Sequence, residues 1–221
     1  MRARDLSRYL GDLGWRQSQI PPESKTPPGV SPPAPGETLE SLATIAAGCT
    51  LCRLSEKRQT VVFGEGDPNA RLMFIGEGPG AEEDRTGRPF VGQAGRLLDR
   101  MIFAMGFERH QVYIANVVKC RPPGNRDPKD DEVAACAAYL DRQIDFIGPE
   151  IIVALGKPAS WRLTGTNKPM GALRGRWSTY RGTPLMPVFH PAYLLRQPKL
   201  KREAWEDLKL VMARLVSTTE E

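Results

Sequence analysis

The feature that most constrains the fold is a series of short apolar runs separated by segments with helical spacing. Residues 72–75, 112–118 and 151–155 are predicted strands. Helices are predicted at 93–105, at 127–148 with Asp127 as N-cap and Pro128 as first residue, and at 199–216. A hairpin-like pair is predicted at 177–180 and 185–189. This alternation is typical of an α/β sandwich on a mostly parallel sheet, whose ligands bind at the carboxyl ends of the strands.

The first 37 residues are predicted to lie outside this domain. Prolines crowd residues 21–35, which predicts an extended, polyproline-like linker. Leu6, Leu10 and Leu13 fall on one face of a short helix before it. That helix either binds an unknown protein partner or folds back on the domain. The folded domain is expected to span residues 38–221.

The hydropathy of the chain excludes a membrane-spanning helix, and its charge is compatible with a nucleic-acid partner. The chain has 31 Lys+Arg and 26 Asp+Glu, a net charge of +5 that is compatible with DNA but does not itself indicate it. No run of about 18 apolar residues is present, and the first residues lead into no apolar core of the signal-peptide type. We therefore expect a soluble cytoplasmic protein, in which cysteines do not form structural disulfides.

The four cysteines form a pattern of their own. Cys49 and Cys52 make a CxxC loop, Cys120 follows the second predicted strand, and Cys136 lies on the helix after it. Four thiolates without a histidine nearby in sequence are typical of an iron–sulfur cluster or an all-thiolate zinc site. The single CxxC favours the cluster, because a zinc ribbon has two such knuckles. Unrelated buried thiols are the alternative.

A glycine-rich loop follows the first predicted strand. Residues 76–81 fit the loose dinucleotide pattern G-x-G-x-x-G/A. However, Pro79 removes one backbone N–H, and the acidic residues 82–84 would repel a phosphate. We interpret the loop as one that admits a flat, neutral ring to backbone amides, with Glu77 directed into the pocket. A tight turn with solvated acids is the alternative.

Basic residues surround this predicted acidic pocket. They are Lys119, Arg121, Arg126 and Lys129 in one segment, with Arg85, Arg88, Arg96, Arg174, Arg176 and Arg196 elsewhere at the same predicted edge. A basic rim around an acidic pocket suits a protein that holds a polyanionic backbone by charge and acts on a neutral base inside. An ordinary solvated charged face is the alternative.

The two histidines are given different interpretations. His190 ends the last predicted strand, where it is either a donor to a developing anion or a capping residue. His110 lies in a polar loop and is expected to be exposed.

Several motifs converge in one order along the chain: GEGPG at 76–80 with its acidic tail, RPFVG at 88–92, NVVKCRPP at 116–123 and HPAY at 190–193. The set resembles the signature of family 4 uracil-DNA glycosylases, the iron–sulfur members of their superfamily, and the resemblance covers about residues 42–216. It implies a three-layer α/β/α sandwich. It also implies a monomeric, monofunctional glycosylase that flips uracil out of single- or double-stranded DNA and hydrolyses its N-glycosidic bond, in the cytoplasm and associated with the nucleoid.

The resemblance also implies site residues. A structural 4Fe–4S cluster would be held by Cys49, Cys52, Cys120 and Cys136. Uracil would be contacted and cleaved by Glu77 at the attacking water, Gly78 through its backbone, Phe90 by stacking, Asn116 at O4 and N3–H, and His190 at O2. Either Glu83 or Asp84 is expected to line the same pocket, with Glu83 favoured but not separated from Asp84. DNA contacts are expected from Arg121, Arg126, Tyr193, Leu195 and Arg196.

At two positions the sequence differs from other families of the same superfamily, and both differences limit which functions can be transferred to this chain. Residues 121–126 contain no histidine, so covalent trapping on DNA is not expected. Gly78 stands where family 1 carries a water-activating aspartate, which leaves Glu77 as the candidate. Two other functions compete with the glycosylase: a non-catalytic iron–sulfur DNA-binding accessory protein, and a nucleotide-dependent oxidoreductase that uses the glycine loop.

Overall fold

The computed structural model describes residues 36–217, so the predicted linker and its leucine-bearing helix lie outside the described residues. The strands are β1 Glu65–Gly66, β2 Leu72–Gly76, β3 Tyr113–Asn116, β4 Ile151–Leu155, β5 Ser178–Tyr180 and β6 Thr183–Val188. The helices are α1 Leu39–Ala47, α2 Ala81–Thr86, α3 Gln93–Ala104, α4 Asp130–Ile147, α5 Gly156–Thr164, α6 Met170–Leu173, α7 Pro191–Arg196 and α8 Lys201–Ser217. Within these residues, no helix is long and apolar enough to cross a membrane.

One six-stranded sheet runs through the described domain in the order β1-β3-β2-β4-β6-β5. The four central strands are parallel, and the two edge strands pair antiparallel to their neighbours. Parallel strands of this kind are buried on both faces, and every residue of β2, β3 and β4 is buried. The register places Gly76 at the end of β2 beside Asn116 at the end of β3.

Two helical layers cover the sheet. On one face Met73 and Ile75 pack with buried residues of α1, α4 and α5. On the other face Leu72 and Phe74 pack with buried residues of α3, α7 and α8. Successive strand residues point to opposite faces, so each strand serves both cores. The predicted three-layer α/β/α sandwich on a mostly parallel sheet is confirmed.

The helix predicted to begin at Asp127 and Pro128 begins instead at Asp130, with Lys129 as its N-cap. The reason is Glu132, which accepts the backbone N–H of Lys129 at 2.8 Å and also binds the Arg126 guanidinium. These bonds hold residues 126–129 outside the helix. Asp127 is thereby left at the edge of the sheet rather than used as a cap.

Other boundaries shift by a few residues. The strand predicted at 112–118 is paired as a strand only over Tyr113–Asn116, although Val117 and Val118 still donate to the carbonyls of Gly76 and Glu77. The hairpin closes through Arg181 and Gly182, both with positive φ. That conformation matches the twist of the flanking strands. The last helix begins at Lys201, after a 3₁₀ turn at Pro198–Leu200.

Candidate active site

A cavity of about 1010 Å³ opens where the parallel strands end, as the sequence predicts. Its walls come from the loop after β2, the end of β3, the segment before α4, the start of α5, α6 and the segment before it, and the loop and helix after β6. Among the predicted site residues, it is lined by Glu77, Gly78, Glu83, Phe90, Asn116, Arg126, His190, Tyr193 and Arg196.

Asn116 is the most informative of these side chains. It is fully buried, yet neither its Nδ2 nor its Oδ1 has a hydrogen-bond partner within residues 36–217. A buried amide without partners costs about 1–3 kcal/mol in mutational data. Such a group at a cavity wall indicates a polar ligand that supplies both an acceptor and a donor.

Gly76 lets Asn116 and Phe90 approach each other closely. A Cβ built on Gly76 would lie 2.5 Å from Asn116 Oδ1 and 2.5 Å from Phe90 Cζ, closer than any side chain permits. The glycine therefore has a packing reason in addition to its place in the turn. It brings an amide edge and an aromatic ring to one end of the cavity.

The Phe90 turn is strained and is held by its neighbours. Phe90 has a φ of +52°, a conformation that residues with a side chain rarely adopt. Arg109 donates to the carbonyl of Phe90 at 3.2 Å and also to that of Pro89. Glu83 Oε1 accepts the N–H groups of Val91 and Gly92, each at 2.9 Å. Strain that neighbours support in this way is typical of functional sites.

The two acidic candidates of the glycine loop separate in the structure. Glu83 lines the cavity while it holds the Phe90 turn. Asp84 is buried away from the cavity, where Oδ1 accepts the N–H of Gln59 at 2.9 Å and anchors residues 59–60. Glu83 therefore lies at the site, but one of its oxygens is committed to backbone amides.

His190, which follows β6, also lines the cavity. Its ring centroid is 5.6 Å from that of Phe90. Its Nδ1 accepts the N–H of Ala192 at 3.1 Å, so in the neutral ring the proton is on Nε2. Burial first, and then the charge of Arg196, lower its pKa to about 4. The imidazole is thus a neutral donor rather than a cation at neutral pH.

Glu77 is a carboxyl group with an unusual proton affinity. Burial first, and then the negative charge of Asp127, raise its pKa from 4.5 to about 7. Both effects disfavour the charged form. A group that titrates near neutrality in a cavity is a candidate acid, base or electrostatic catalyst.

The basic rim is smaller than the sequence predicts. Arg126 and Arg196 line the cavity, and Arg121 lies outside the lining with its Nε bonded to Asn125. Three assignments are corrected: Lys119 is buried, Arg88 pairs with Glu65, and Arg174 pairs with Asp207. None of these three lines the cavity, whereas Arg126 lines it although its guanidinium also pairs with Glu132.

Helix α7, which follows His190, divides its residues between the surface and the core. Tyr193 is exposed at the cavity and packs its ring against Phe189, with centroids 5.5 Å apart. Arg196 also lies at the cavity, whereas Leu195 is partly buried against the apolar core. His110, as expected, is exposed.

The four cysteines surround a second, much smaller cavity of about 20 Å³. All four are free thiols. Arg58 donates to Cys120 Sγ at 3.4 Å, and the backbone N–H of Lys119 donates to Cys136 Sγ at 3.3 Å. Within residues 36–217, no group of three or more His, Cys, Asp or Glu side chains is arranged to hold a metal ion as the structure stands. The lining nevertheless brings four sulfurs together, and N–H groups donate to two of them, Cys120 Sγ and Cys136 Sγ, which suits a thiolate-bound cluster.

Sequence reasoning missed several residues that shape the site. Arg109 donates to the Phe90 turn, and Asp127, predicted to be a helix cap, lines the cavity. Lys157 and Trp161, which no motif singled out, also line the cavity. No local motif identifies such residues, because their roles depend on segments distant in sequence. Gly156, directly after β4, marks one such close approach, since a Cβ on it would lie 2.7 Å from Cβ of His190.

Comparisons with known proteins agree with this geometry. The sequence model of the Uracil DNA glycosylase superfamily matches residues 63–209, a span that contains the cavity-lining residues of the loops after β2, β3, β4 and β6. The chain is 45% identical over 185 residues to the type-4 uracil-DNA glycosylase of Sulfurisphaera tokodaii, which covers 79% of this chain and 84% of the relative. It is 46% identical over 177 residues to that of Thermotoga maritima (78% and 92%) and 43% over 190 residues to that of Saccharolobus solfataricus (82% and 88%). The chain belongs to the type-4 uracil-DNA glycosylases.

Proposed function

We propose that this protein excises uracil from DNA by hydrolysing the bond between the base and the deoxyribose, which leaves an abasic site. The observation that carries the proposal is the fully buried amide of Asn116, which has no hydrogen-bond partner within the described residues and faces a cavity shared with Glu77 and His190. A non-catalytic DNA-binding protein has no need of this arrangement, and it is not favoured. Nor is a nucleotide-dependent oxidoreductase, since the acidic loop after β2 opposes a phosphate.

Recognition of uracil follows from the amide of Asn116. Nδ2 donates to O4 of the base, and Oδ1 accepts from N3–H. Cytosine carries an amino group in place of O4 and an unprotonated N3, so the same amide orientation rejects it. Phe90 offers its ring for stacking, and the glycine at position 78 allows close approach of the base to the backbone. A site of this kind discriminates strongly, because the wrong base leaves buried polar groups unpaired.

Breakage of the glycosidic bond moves an electron pair onto N1 of uracil and leaves positive charge on the sugar. Glu77, when ionised, stabilises that positive charge and orients the water that adds to C1′. The proton of the water passes to the carboxylate or to solvent. Glu77 must be charged for this role, although burial and Asp127 oppose the charge.

The negative charge that develops on the base is met by donors on the opposite wall. Nε2–H of His190 points its proton away from the Ala192 contact and donates to O2 of uracil. The imidazole is neutral in the free enzyme, so it stabilises the anion by a hydrogen bond without transferring its proton. One such preorganised donor is worth about 10²–10³ in rate.

DNA itself is proposed to lie across the cavity mouth. Arg126 and Arg196 line the cavity there, and Arg121 adds a charge on the same loop as Arg126. Tyr193, exposed on α7, is proposed to support the strand from which the nucleotide is flipped. Leu195 is assigned the same role by resemblance, although its partial burial limits its reach.

The cysteines are proposed to hold a structural 4Fe–4S cluster. Its ligands would be Cys49, Cys52, Cys120 and Cys136, which join the segment after α1 to β3 and α4. When bound, the cluster supplies a rigid cross-link between these segments; the glycosidic chemistry needs only the side chains of the other cavity. A broad visible absorbance at the blue end of the spectrum, bleached by dithionite, supports the cluster; a colourless protein that contains zinc contradicts it.

Other expectations from the sequence stay proposals. We propose a monomer that acts in the cytoplasm, associated with the nucleoid if the source is a prokaryote. We further propose that residues 38–221 form the catalytic domain and that the segment before them meets a protein partner. The capping interaction between Thr38 and Ser41, at 3.1 Å, supports a domain start near this position.

The proposed function is tested by release of the base. The protein is incubated with oligonucleotides that contain uracil, thymine, hypoxanthine or a mismatch, and alkali then cleaves any abasic product. Cleavage at uracil supports the proposal, and intact uracil-containing DNA at high enzyme excess contradicts it. The variants Glu77→Gln and His190→Ala should each lose most activity while they retain the visible absorbance of the cluster.

A further inference from the structure

The cavity is larger than one flipped base requires. Its volume of about 1010 Å³ lies at the top of the range, roughly 300–1,000 Å³, of pockets that enclose drug-sized ligands. The residues assigned to uracil come from the loops after β2, β3 and β6. The remaining wall comes from α5, α6 and the segment between them, and nothing in the proposed reaction uses it.

Trp161 is the aromatic side chain that the described residues of this wall contribute to the cavity. Its indole Nε1–H donates to the carbonyl of Lys168 at 2.7 Å, which fixes the ring against the segment that leads to α6. The ammonium group of Lys157 lies 4.1 Å from the ring centroid. Both residues line the cavity, and Lys157 is exposed, so its flexible side chain is a removable cover on the ring.

The charge of this wall differs from that of the uracil side. Glu77, Glu83 and Asp127 all lie on the side of the loops after β2 and β3. Among the described residues that α5, α6 and their connection contribute to the cavity, there is no carboxylate, and Lys157 is the cation. An aromatic ring with a mobile cation and no opposing acid is the arrangement that binds an unpaired base together with its phosphate.

We propose that Trp161 and Lys157 form a subsite for the nucleotide next to the flipped uridine, a proposal that rests on the proposed function. The neighbouring base stacks on the indole ring, and the ammonium moves from the ring to the phosphate. The lost contact between Lys157 and the ring is worth a factor of about 2 to 5 at an exposed site. Stacking of a base contributes a factor of about 5 to 150, so the exchange favours binding.

The subsite distinguishes single-stranded from double-stranded DNA. A neighbouring base inside a duplex is already stacked and paired, so it reaches Trp161 only after it is unpaired. The contribution of Trp161 is therefore expected to be larger on single-stranded DNA. An oligonucleotide whose uridine is flanked by abasic spacers offers no base to stack and serves as the control substrate.

The test compares Trp161→Ala and Trp161→Phe with the wild-type protein on two single-stranded oligonucleotides, one with natural nucleotides beside the uridine and one with abasic spacers. On the natural oligonucleotide, Trp161→Ala is expected to lower kcat/KM by about 5- to 150-fold, and Trp161→Phe to retain most activity, because its ring still stacks. On the spacer oligonucleotide the three proteins should agree within about twofold. The wild-type protein alone should prefer the natural oligonucleotide by a similar factor.

Equal losses of activity on both oligonucleotides would show that Trp161 only anchors the segment between α5 and α6, through the carbonyl of Lys168, and would overturn the subsite. So would equal behaviour of the wild-type protein on the two substrates, a result that needs no variant to fold. A wild-type protein that releases no uracil from either oligonucleotide refutes the proposed function instead. As an independent readout, 2-aminopurine placed beside an uncleavable uridine analogue should be quenched by the wild-type protein and not by Trp161→Ala; equal fluorescence contradicts the proposal.

Discussion

The pH dependence of activity tests the role of Glu77 directly. With a pKa of about 7, its carboxyl group is about half ionised at pH 7 and about 1% ionised at pH 5. If only the carboxylate supports bond breakage, kcat/KM on a uracil-containing oligonucleotide falls about 50-fold between these pH values. This fall in kcat/KM towards low pH is the acid limb of the pH–rate profile. His190, with a pKa of about 4, stays neutral over this range and therefore adds no further pH dependence.

Two variants test whether the charge of Asp127 helps to raise the pKa of Glu77. Asp127→Asn removes the charge that helps raise the pKa of Glu77, so the acid limb should move to lower pH. Asp130→Asn removes the same charge from the start of α4, outside the cavity lining, and should leave the limb in place. An acid limb that persists unchanged in Glu77→Gln, measured in its residual activity, would refute the assignment. An acid limb that does not move in Asp127→Asn would refute the contribution of Asp127 to the raised pKa of Glu77.

Other substitutions give outcomes of different kinds. Glu77→Gln should also stabilise the fold by about 1–2 kcal/mol at pH 8 and not at pH 4. The carboxyl group of Glu77 ionises near pH 4.5 in the unfolded chain and near pH 7 in the folded one, so the wild-type protein loses stability as the pH rises between these values, and partial exposure of the group reduces the effect. Urea unfolding of both proteins at the two pH values measures the difference. Asn116→Ala should lower single-turnover uracil release by about 10²–10³ without lowering the melting temperature, because it removes an unpartnered buried amide; a large loss of stability would contradict this. Gly76→Ala should lower kcat/KM by about 10²-fold, because the added Cβ displaces the side chains of Asn116 and Phe90. Activity near that of the wild-type protein would show that the exact positions of Asn116 and Phe90 are not needed for catalysis. Arg109→Met leaves the carbonyls of Pro89 and Phe90 without their donor and should destabilise by about 1–3 kcal/mol in thermal melts, with an unchanged melt as the contrary result.

The architecture was predictable because it depends on local patterns. Buried apolar runs such as residues 72–75 and 151–155 have no polar residue to allow another interpretation, and their alternation with helices leaves few sheet topologies. The start of α4 was not predictable, because Asp127-Pro128 is a good local helix start. The structure overrides it through Glu132, whose bonds to Arg126 and Lys129 hold the preceding segment outside the helix.

The placement of Glu77, Asn116 and His190 at one cavity was predictable, because each stands at the end of a parallel strand or just after it. The sequence could not distinguish charges that face a ligand from charges used inside the fold. Lys119 is the clearest case: its ammonium is buried and donates to the carbonyl of Asn116 at 2.8 Å, and burial lowers its pKa to about 8. Pairing of this kind depends on residues distant in sequence, and no periodicity reveals it.

The central claim is that the cavity at the ends of β2, β3 and β6 breaks the glycosidic bond of uracil in DNA. The most direct measurement is the amount of free uracil released from a single-stranded oligonucleotide by the wild-type protein and by Asn116→Ala under single-turnover conditions, with thymine in place of uracil as control. We predict uracil release by the wild-type protein, a loss of about 10²–10³ in the variant, and no thymine release. Equal release of uracil and thymine, or equal rates in the two proteins, would contradict the assignment of Asn116 and the site built around it.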